Sequence, residues 1–230
     1  MTPDDGAGQP DTNAASILRR LHQVRERIDA VERSWTHPVE ILAVTKGFGP
    51  EIVRHAVDAG AAAIGENYAQ ELLSKADTID SLGDRRPRVE FIGRLQTNKV
   101  RHLAGVVDVW ASVDRQRLIE EIASRSPGSA IVIQVNTTGE EHKGGCAPAD
   151  VGALVDAARS AGLDVRGLLT VGPTDRPADA ARPGFGLLRR SVDEHGLTTC
   201  SMGMSADLDV AVAEGSTQVR IGTALFGPRG

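Results

Sequence analysis

Short apolar runs alternate with amphipathic segments along most of this chain. The amphipathic segments carry apolar residues at helical spacing and lie near residues 50–59, 66–80, 96–104, 114–126, 148–161, 178–195 and 205–214. The eight apolar runs cover residues 41–45, 61–65, 89–93, 107–111, 130–136, 165–170, 198–202 and 219–222. Strands that alternate with helices form parallel βαβ units with right-handed crossovers. Eight such repeats predict an α/β fold, a single (β/α)8 barrel of the TIM type.

A further amphipathic helix precedes the first apolar run. Its apolar residues recur at helical spacing and are Ile17, Leu18, Leu21, Val24, Ile28 and Val31. Because little chain follows the last strand, we expect this extra N-terminal helix to cover the place of a final barrel helix. Residues 1–11 are polar and lack periodicity, which predicts a disordered tail. Residues 12–230 are expected to form one barrel domain.

The composition is that of an ordinary globular protein, with 230 residues, 40% hydrophobic and 25% charged residues, and a net charge of −5. Net acidity argues against a general nucleic-acid binder. The sequence has no apolar run of the roughly 18 residues that a membrane span needs. Its two cysteines, Cys146 and Cys200, have neither metal spacing nor the density of a disulfide framework. We therefore expect a cytoplasmic protein that binds no nucleic acid, membrane or metal.

Lysine is scarce: Lys46, Lys75, Lys99 and Lys143 are the only four, against 22 arginines. The active site of a (β/α)8 barrel lies at the carboxyl ends of its strands, and Lys46 directly follows the run 41–45. An amine in an apolar mouth is desolvated, and its neutral form can add to an aldehyde to give a Schiff base. The alternative is a rim lysine that pairs with a carboxylate such as Glu66.

The loops after the last two strands are candidates for a phosphate site. Glycine lets backbone N–H groups approach a phosphate, and hydroxyl groups can donate to it. The residues concerned are Ser201, Gly203, Gly222 and Thr223. In the alternative interpretation, Gly222 only turns the chain and Ser205 only caps the next helix.

Arg220 is the only charged residue in the run 219–222. It either pairs with a carboxylate such as Glu66 or faces an acceptor on a ligand. A guanidinium that faces a pyridine nitrogen would keep that nitrogen unprotonated and the ring a weaker electron sink.

Two other features have open assignments. Arg94, Lys99 and Arg101 form either a small basic patch or a solvated helix face. Tyr68, the only tyrosine, is expected to pack on the helix after the second strand.

Several motifs resemble those of the pyridoxal phosphate homeostasis protein family. They are AVTK at 43–46, GENYAQE at 65–71, FIGRLQTNK at 91–99, SMGMSAD at 201–207, GST at 215–217 and VRIGTALFG at 219–227. The resemblance runs in order from about residue 17 to residue 227. Gly47 and Phe48, next to the lysine, and Arg94 depart from the residues usual in that family.

The resemblance implies a fold-type III barrel, similar to the barrel domain of alanine racemase, that binds pyridoxal 5'-phosphate (PLP), a form of vitamin B6. Lys46 would carry PLP as an aldimine, Asn67 would lie against the ring, and Arg220 would face the pyridine nitrogen. Ser201, Gly203, Gly222 and Thr223 would bind the phosphate.

The function implied is that of a monomeric PLP carrier in intracellular PLP homeostasis, without catalytic turnover and with PLP-dependent apoenzymes as candidate partners. One alternative is a PLP-dependent amino-acid racemase of the alanine racemase type. It would need a second acid/base group on the opposite face of the ligand, and we expect no room after the eighth strand for the domain that helps build a racemase pocket. A Schiff-base aldolase that uses Lys46 without PLP is a third hypothesis.

Overall fold

Eight parallel strands form a closed barrel in which each strand pairs with its neighbours in chain order. The computed structural model describes residues 12–228, so the tail expected for residues 1–11 lies outside the described residues. The strands are β1 (Glu40–Val44), β2 (Ala63–Glu66), β3 (Arg88–Phe91), β4 (Val109–Val113), β5 (Ala130–Gln134), β6 (Asp164–Leu169), β7 (Thr199–Ser201) and β8 (Gln218–Ile221). The prediction of a (β/α)8 barrel is confirmed.

Helices cover the outside of the barrel. In the described part of the chain they are α1 (Ala14–Asp29), α2 (Glu51–Asp58), α3 (Ala69–Asp80), α4 (Thr97–Leu103), α5 (Gln116–Arg125), α6 (Val151–Ser160), α7 (Arg182–Glu194), α8 (Leu208–Ala213) and α9 (Thr223–Phe226). None of these helices within residues 12–228 is both long and apolar enough to cross a membrane.

Pairing of β1 with β8 closes the barrel. Leu42 lies opposite Arg220 and Ala43 opposite Ile221 in this parallel register. Side chains of a strand alternate between its two faces, so the register sets which residues of both strands point into the barrel. Residues more than 170 positions apart in the sequence are thereby brought side by side.

The barrel has an apolar layer outside its strands and a divided interior. Outward-facing residues such as Ile64, Phe91 and Ile131 are buried against the helices in one continuous core. Inside the barrel, a separate apolar cluster lies on β4, β5 and β6 and consists of Val109, Ala111, Ala130, Val132 and Leu169. The interior face of β8 instead carries buried Gln218 and Arg220. The polar half of the interior is therefore the half that contains the β1–β8 closure.

Helix α1 begins at a sequence-encoded cap and completes the helical layer. The Asn13 side chain accepts a hydrogen bond from the Ser16 N–H at 2.9 Å, the usual role of asparagine at an N-cap. The helix packs on α2, α8 and α9, and Arg20 donates to the Leu225 carbonyl at 3.0 Å. The expectation that this extra helix covers the place of a final barrel helix agrees with these contacts.

Gly93 is a position where the strand ends leave no room for a side chain. A Cβ atom there would lie 1.8 Å from the Asn67 carbonyl oxygen, whereas a Cβ at Gly105 would meet nothing within 4 Å. The backbones that follow β2 and β3 therefore touch directly.

We predict that Gly93→Ala lowers the free energy of unfolding by about 1–3 kcal/mol, as expected for overpacking against backbone. Gly105→Ala is the matched control and should leave that free energy within about 0.5 kcal/mol of the parent value. Urea denaturation measures both. Equal stability of the two variants would contradict the close contact at Gly93.

Candidate functional site

The residues predicted for the site converge on the carboxyl-terminal rim of the barrel. Lys46 lies two residues after the end of β1, and Asn67 directly follows β2. Gly222 and Thr223 directly follow β8, and Gly203 lies two residues after β7. Because all eight strands are parallel, their carboxyl ends meet at one rim. The two others, Ser201 and Arg220, lie within β7 and β8 and are buried.

Arg220 is a charged residue inside the barrel and is held by backbone and hydroxyl oxygens. Its Nη1 donates to the Ser201 carbonyl at 2.8 Å and to the Ser201 Oγ at 2.9 Å, and its Nη2 donates to the Thr170 carbonyl at 2.6 Å. Burial lowers the pKa of Arg220 to about 10, against the opposing charges of Asp207 and Glu90. The guanidinium therefore remains protonated at neutral pH. The Arg220–Glu66 pair that the sequence left open does not form within the described residues.

A chain of buried hydrogen bonds extends from Arg220 toward the other end of the barrel. The Ser201 hydroxyl donates to Gln218 Oε1 at 2.7 Å, and Gln218 Nε2 donates to Glu90 Oε1 at 2.9 Å. Arg88 donates to the same carboxylate at 2.8 Å. Burial raises the pKa of Glu90, while the nearby Arg88 guanidinium opposes that shift. This network fixes the guanidinium of Arg220 in one orientation.

Ser201 was predicted as a phosphate ligand, and the structure gives its hydroxyl another set of partners. The residue is the last of β7 and is fully buried. Its Oγ donates to Gln218 and accepts from Arg220. In this arrangement the hydroxyl supports Arg220 from inside the barrel.

The loops after β7 and β8 are joined by Ser205, whose role the sequence left open. The Ala224 N–H donates to Ser205 Oγ at 3.3 Å. The residue that precedes α8 as its N-cap is Asp207, so the interpretation of Ser205 as the cap of that helix is wrong. Ser205 thus places its hydroxyl at the first turn of α9, and its place in the SMGMS motif is the sequence signal that could have assigned it.

Gly203 is a loop position that requires glycine. Its φ is +95°, in the left-handed region, and a Cβ there would lie 2.5 Å from the Ala211 Cβ. Asp207 accepts a hydrogen bond from the Met204 N–H at 2.6 Å and so holds the same loop. Asp209, in the first turn of α8, is paired with Arg27 at 2.6 Å.

Glu66 faces α3 and binds Lys75. Lys75 Nζ lies 2.5 Å from Glu66 Oε1, and both side chains are at most 1% exposed. Thr45 Oγ1 donates to the same Oε1 at 2.5 Å. The ion pair of Lys46 with Glu66, one of the two interpretations from the sequence, is therefore not formed within the described residues. The sequence did contain a signal for this pair, because Lys75 lies in the buried stripe of Leu72 and Ile79 on α3.

A cleft of about 370 Å³ opens beside Asn67 on the rim. Arg94 and Lys99 line it, as does Tyr68. Tyr68 is 54% exposed and immediately precedes α3, so the expectation that it packs on this helix was wrong. Arg94 and Lys99 thus border the rim, and part of the basic stretch lies next to the candidate site.

Comparison with known proteins agrees with this geometry. The family model of the alanine racemase N-terminal domain matches residues 20–230. The alanine racemase of Corynebacterium glutamicum shares the fold, with a TM-score of 0.70 at 15% identity over 94% of this chain and 61% of that chain. The match to this family model and the shared fold therefore define a barrel protein of the alanine racemase N-terminal class.

The pyridoxal phosphate homeostasis proteins of Aquifex aeolicus and Pseudomonas aeruginosa are each 40% identical to this chain. The alignments cover 93% and 95% of this chain and 99% and 96% of those proteins, respectively. PipY of Synechococcus elongatus, solved with PLP bound, has a TM-score of 0.75 at 29% identity over 92% of this chain and 100% of that chain. The chain belongs to the pyridoxal phosphate homeostasis protein family.

Proposed function

We propose that this chain binds PLP at the rim of its barrel through Lys46, acts inside the cell in PLP homeostasis, and does not turn over a substrate. The observation that carries the proposal is that Lys46 and Asn67 lie at one rim of the barrel, toward which the strand that carries the buried Arg220 also runs. Family membership supports PLP as the ligand, since the relatives are named for PLP homeostasis and one solved homologue holds PLP.

The residues at the rim fit a pyridine aldehyde. Asn67 Oδ1 is buried and has no hydrogen-bond partner among the described residues. The hydrogen bonds of Arg220 within residues 12–228 engage Nη1 and Nη2 and leave Nε for a further acceptor. A pyridine nitrogen is such an acceptor. We therefore assign Asn67 to the ring and Arg220 to the ring nitrogen.

The phosphate is assigned to the loops after β7 and β8. Gly203 and Gly222 allow close approach of backbone N–H groups, and the Thr223 hydroxyl can donate to phosphate oxygens. Ser205 joins these residues because its hydroxyl already contacts the Ala224 N–H. Ser201 remains part of the proposed site, and its contacts favour support of Arg220 as its role.

The covalent link is assigned to Lys46. Bound PLP supplies an aldehyde that condenses with a primary amine, forming a C=N bond and releasing one water. Lys46 supplies that amine at the rim. Its position after β1, directly beside the closure with β8, supports this assignment.

Arg220 favours a carrier over an enzyme. A guanidinium has no acceptor and stays protonated in this site, so it leaves a facing pyridine nitrogen without a proton. An unprotonated ring is a weaker electron sink for amino-acid chemistry. Binding and release of PLP do not require the ring to act as an electron sink, so this arrangement favours the carrier, although an arginine at this position is compatible with racemases of this fold.

The alternative function is an amino-acid racemase of the alanine racemase type. The shared barrel fold favours it. Racemisation is fastest with acid/base groups on both faces of the ligand. Tyr68, the only tyrosine of the sequence, is exposed at the start of α3, which does not favour an acid/base role opposite Lys46.

We predict that Lys46→Ala abolishes the visible absorption band that PLP gives with a lysine imine, because the amine that forms the C=N bond is removed. Lys99→Ala, a lysine beside the same rim, is the control and should keep the band. Circular dichroism checks that both variants are folded. A full band in folded Lys46→Ala would move the covalent link to another lysine.

We predict that Thr223→Ala weakens PLP binding by about 10-fold to 150-fold, since a lost hydrogen bond to a charged group costs about 1.5–3 kcal/mol. Binding of pyridoxal, which lacks the phosphate, should change little. The dissociation constants of both ligands are measured by fluorescence titration. Equal weakening of PLP and pyridoxal binding in Thr223→Ala would contradict the phosphate assignment. Ser201→Ala, in contrast, should weaken the binding of both ligands because it disturbs Arg220.

We predict that the PLP-loaded protein does not sustain turnover of amino acids. L-alanine and other common amino acids are incubated with the loaded protein, and D-isomers and keto acids are followed by chromatography. Multiple turnovers that vanish in Lys46→Ala would make the protein an enzyme and favour the racemase.

A further inference from the structure

Helix α3 holds the backbone on both sides of Lys46. Glu71 Oε2 accepts a hydrogen bond from the Gly47 N–H at 2.8 Å, and Lys75 Nζ donates to the Thr45 carbonyl at 2.8 Å. Glu71 and Lys75 are four residues apart, so they lie one turn apart on the same side of the helix. Two side chains of one helix thus fix the residues directly before and directly after Lys46.

The turn that follows Lys46 depends on one of these contacts. Gly47 has a φ of +77°, in the left-handed region that glycine adopts without strain. Glycine also leaves this turn with the greatest conformational freedom unless another group fixes it. The Glu71 carboxylate supplies that constraint through the Gly47 N–H.

The other contact belongs to a buried charged group. Lys75 binds Glu66 Oε1 as well as the Thr45 carbonyl, and the Lys75 side chain is 1% exposed. Burial raises the pKa of Glu66, whereas the Lys75 ammonium acts in the opposite direction. Because Thr45 follows β1 and Glu66 is the last residue of β2, Lys75 links the ends of these two strands. Glu66 directly precedes Asn67.

Stability alone does not account for such a pair. Apolar residues of similar volume often stabilise a fold as well as a buried ion pair does, because both charges must be desolvated. What the pair supplies is a fixed geometry at the two strand ends that carry Lys46 and Asn67.

We propose that Glu71 and Lys75 are positioning residues that aim the Lys46 amine at the aldehyde of PLP. This proposal rests on the proposed function, because it takes Lys46 as the lysine that captures the cofactor. Neither residue reacts: Glu71 and Lys75 act through the backbone on either side of Lys46. They set how fast the condensation of amine and aldehyde occurs, with release of one water.

The test separates covalent capture from noncovalent binding. The rate of capture is followed by stopped-flow absorbance after mixing with PLP. The dissociation constant of pyridoxamine 5'-phosphate reports the noncovalent contacts, because that ligand carries an amine in place of the aldehyde and cannot condense with lysine. Glu71 is only half-buried, so Glu71→Ala is the first variant.

In Glu71→Ala we expect PLP capture to be about tenfold slower, since a small misplacement of a reacting group can cost up to about 100-fold in rate. The affinity for pyridoxamine 5'-phosphate should stay within about twofold of the parent value. Glu71→Gln keeps an oxygen that can accept from the Gly47 N–H and should restore most of the rate. Asp77→Ala removes an exposed carboxylate of the same helix and should capture PLP at the parent rate.

The double variant Lys75→Met with Glu66→Gln removes both charges of the buried pair and should also slow capture. Unchanged capture in Glu71→Ala would overturn the proposal. A parallel loss of PLP capture and pyridoxamine 5'-phosphate binding in Glu71→Ala would also overturn it, as would an equal slowing of capture in Asp77→Ala. If the parent protein captured no PLP at all, the proposed function itself would fail, and the two failures are therefore distinguishable.

Discussion

The pairing of β1 with β8 is the constraint on which the site depends. Without this closure, Lys46 and Arg220 would lie at opposite edges of an open sheet. With Leu42 opposite Arg220, the strand that leads to the lysine runs beside the strand that carries the arginine. Parallel pairing also puts both strand ends at the same rim, so one set of backbone hydrogen bonds determines the fold and the composition of the site.

A second requirement follows because closure of the barrel buries the charge of Arg220 in its interior. The Arg220 guanidinium is buried, and a buried cation is costly unless oxygens surround it. The carbonyls of Ser201 and Thr170 and the chain through Gln218 to Glu90 meet that requirement. The polar side chains in this half of the barrel interior are thus those that a buried, protonated Arg220 requires as partners.

The sequence predicted the barrel and the rim because both depend on short-range patterns. Eight apolar runs mark the strands. Lys46 directly follows the first run, and Asn67 lies two residues after the second. It did not predict the partners of Ser201, because the side chain at a strand end faces the loop or the interior according to a register that only the closed barrel sets. The Glu66–Lys75 pair and the exposure of Tyr68 likewise depend on how α3 docks.

The proposed function depends above all on Lys46 as the residue that binds PLP covalently. The most direct measurement is borohydride reduction of the PLP-treated protein, followed by proteolysis and mass mapping of all four lysines. Reduction converts the C=N bond into a stable C–N bond and so records where the cofactor was attached. We expect the added mass on the peptide that contains Lys46. Stoichiometric modification of Lys75, Lys99 or Lys143 instead, or of no lysine, would contradict it.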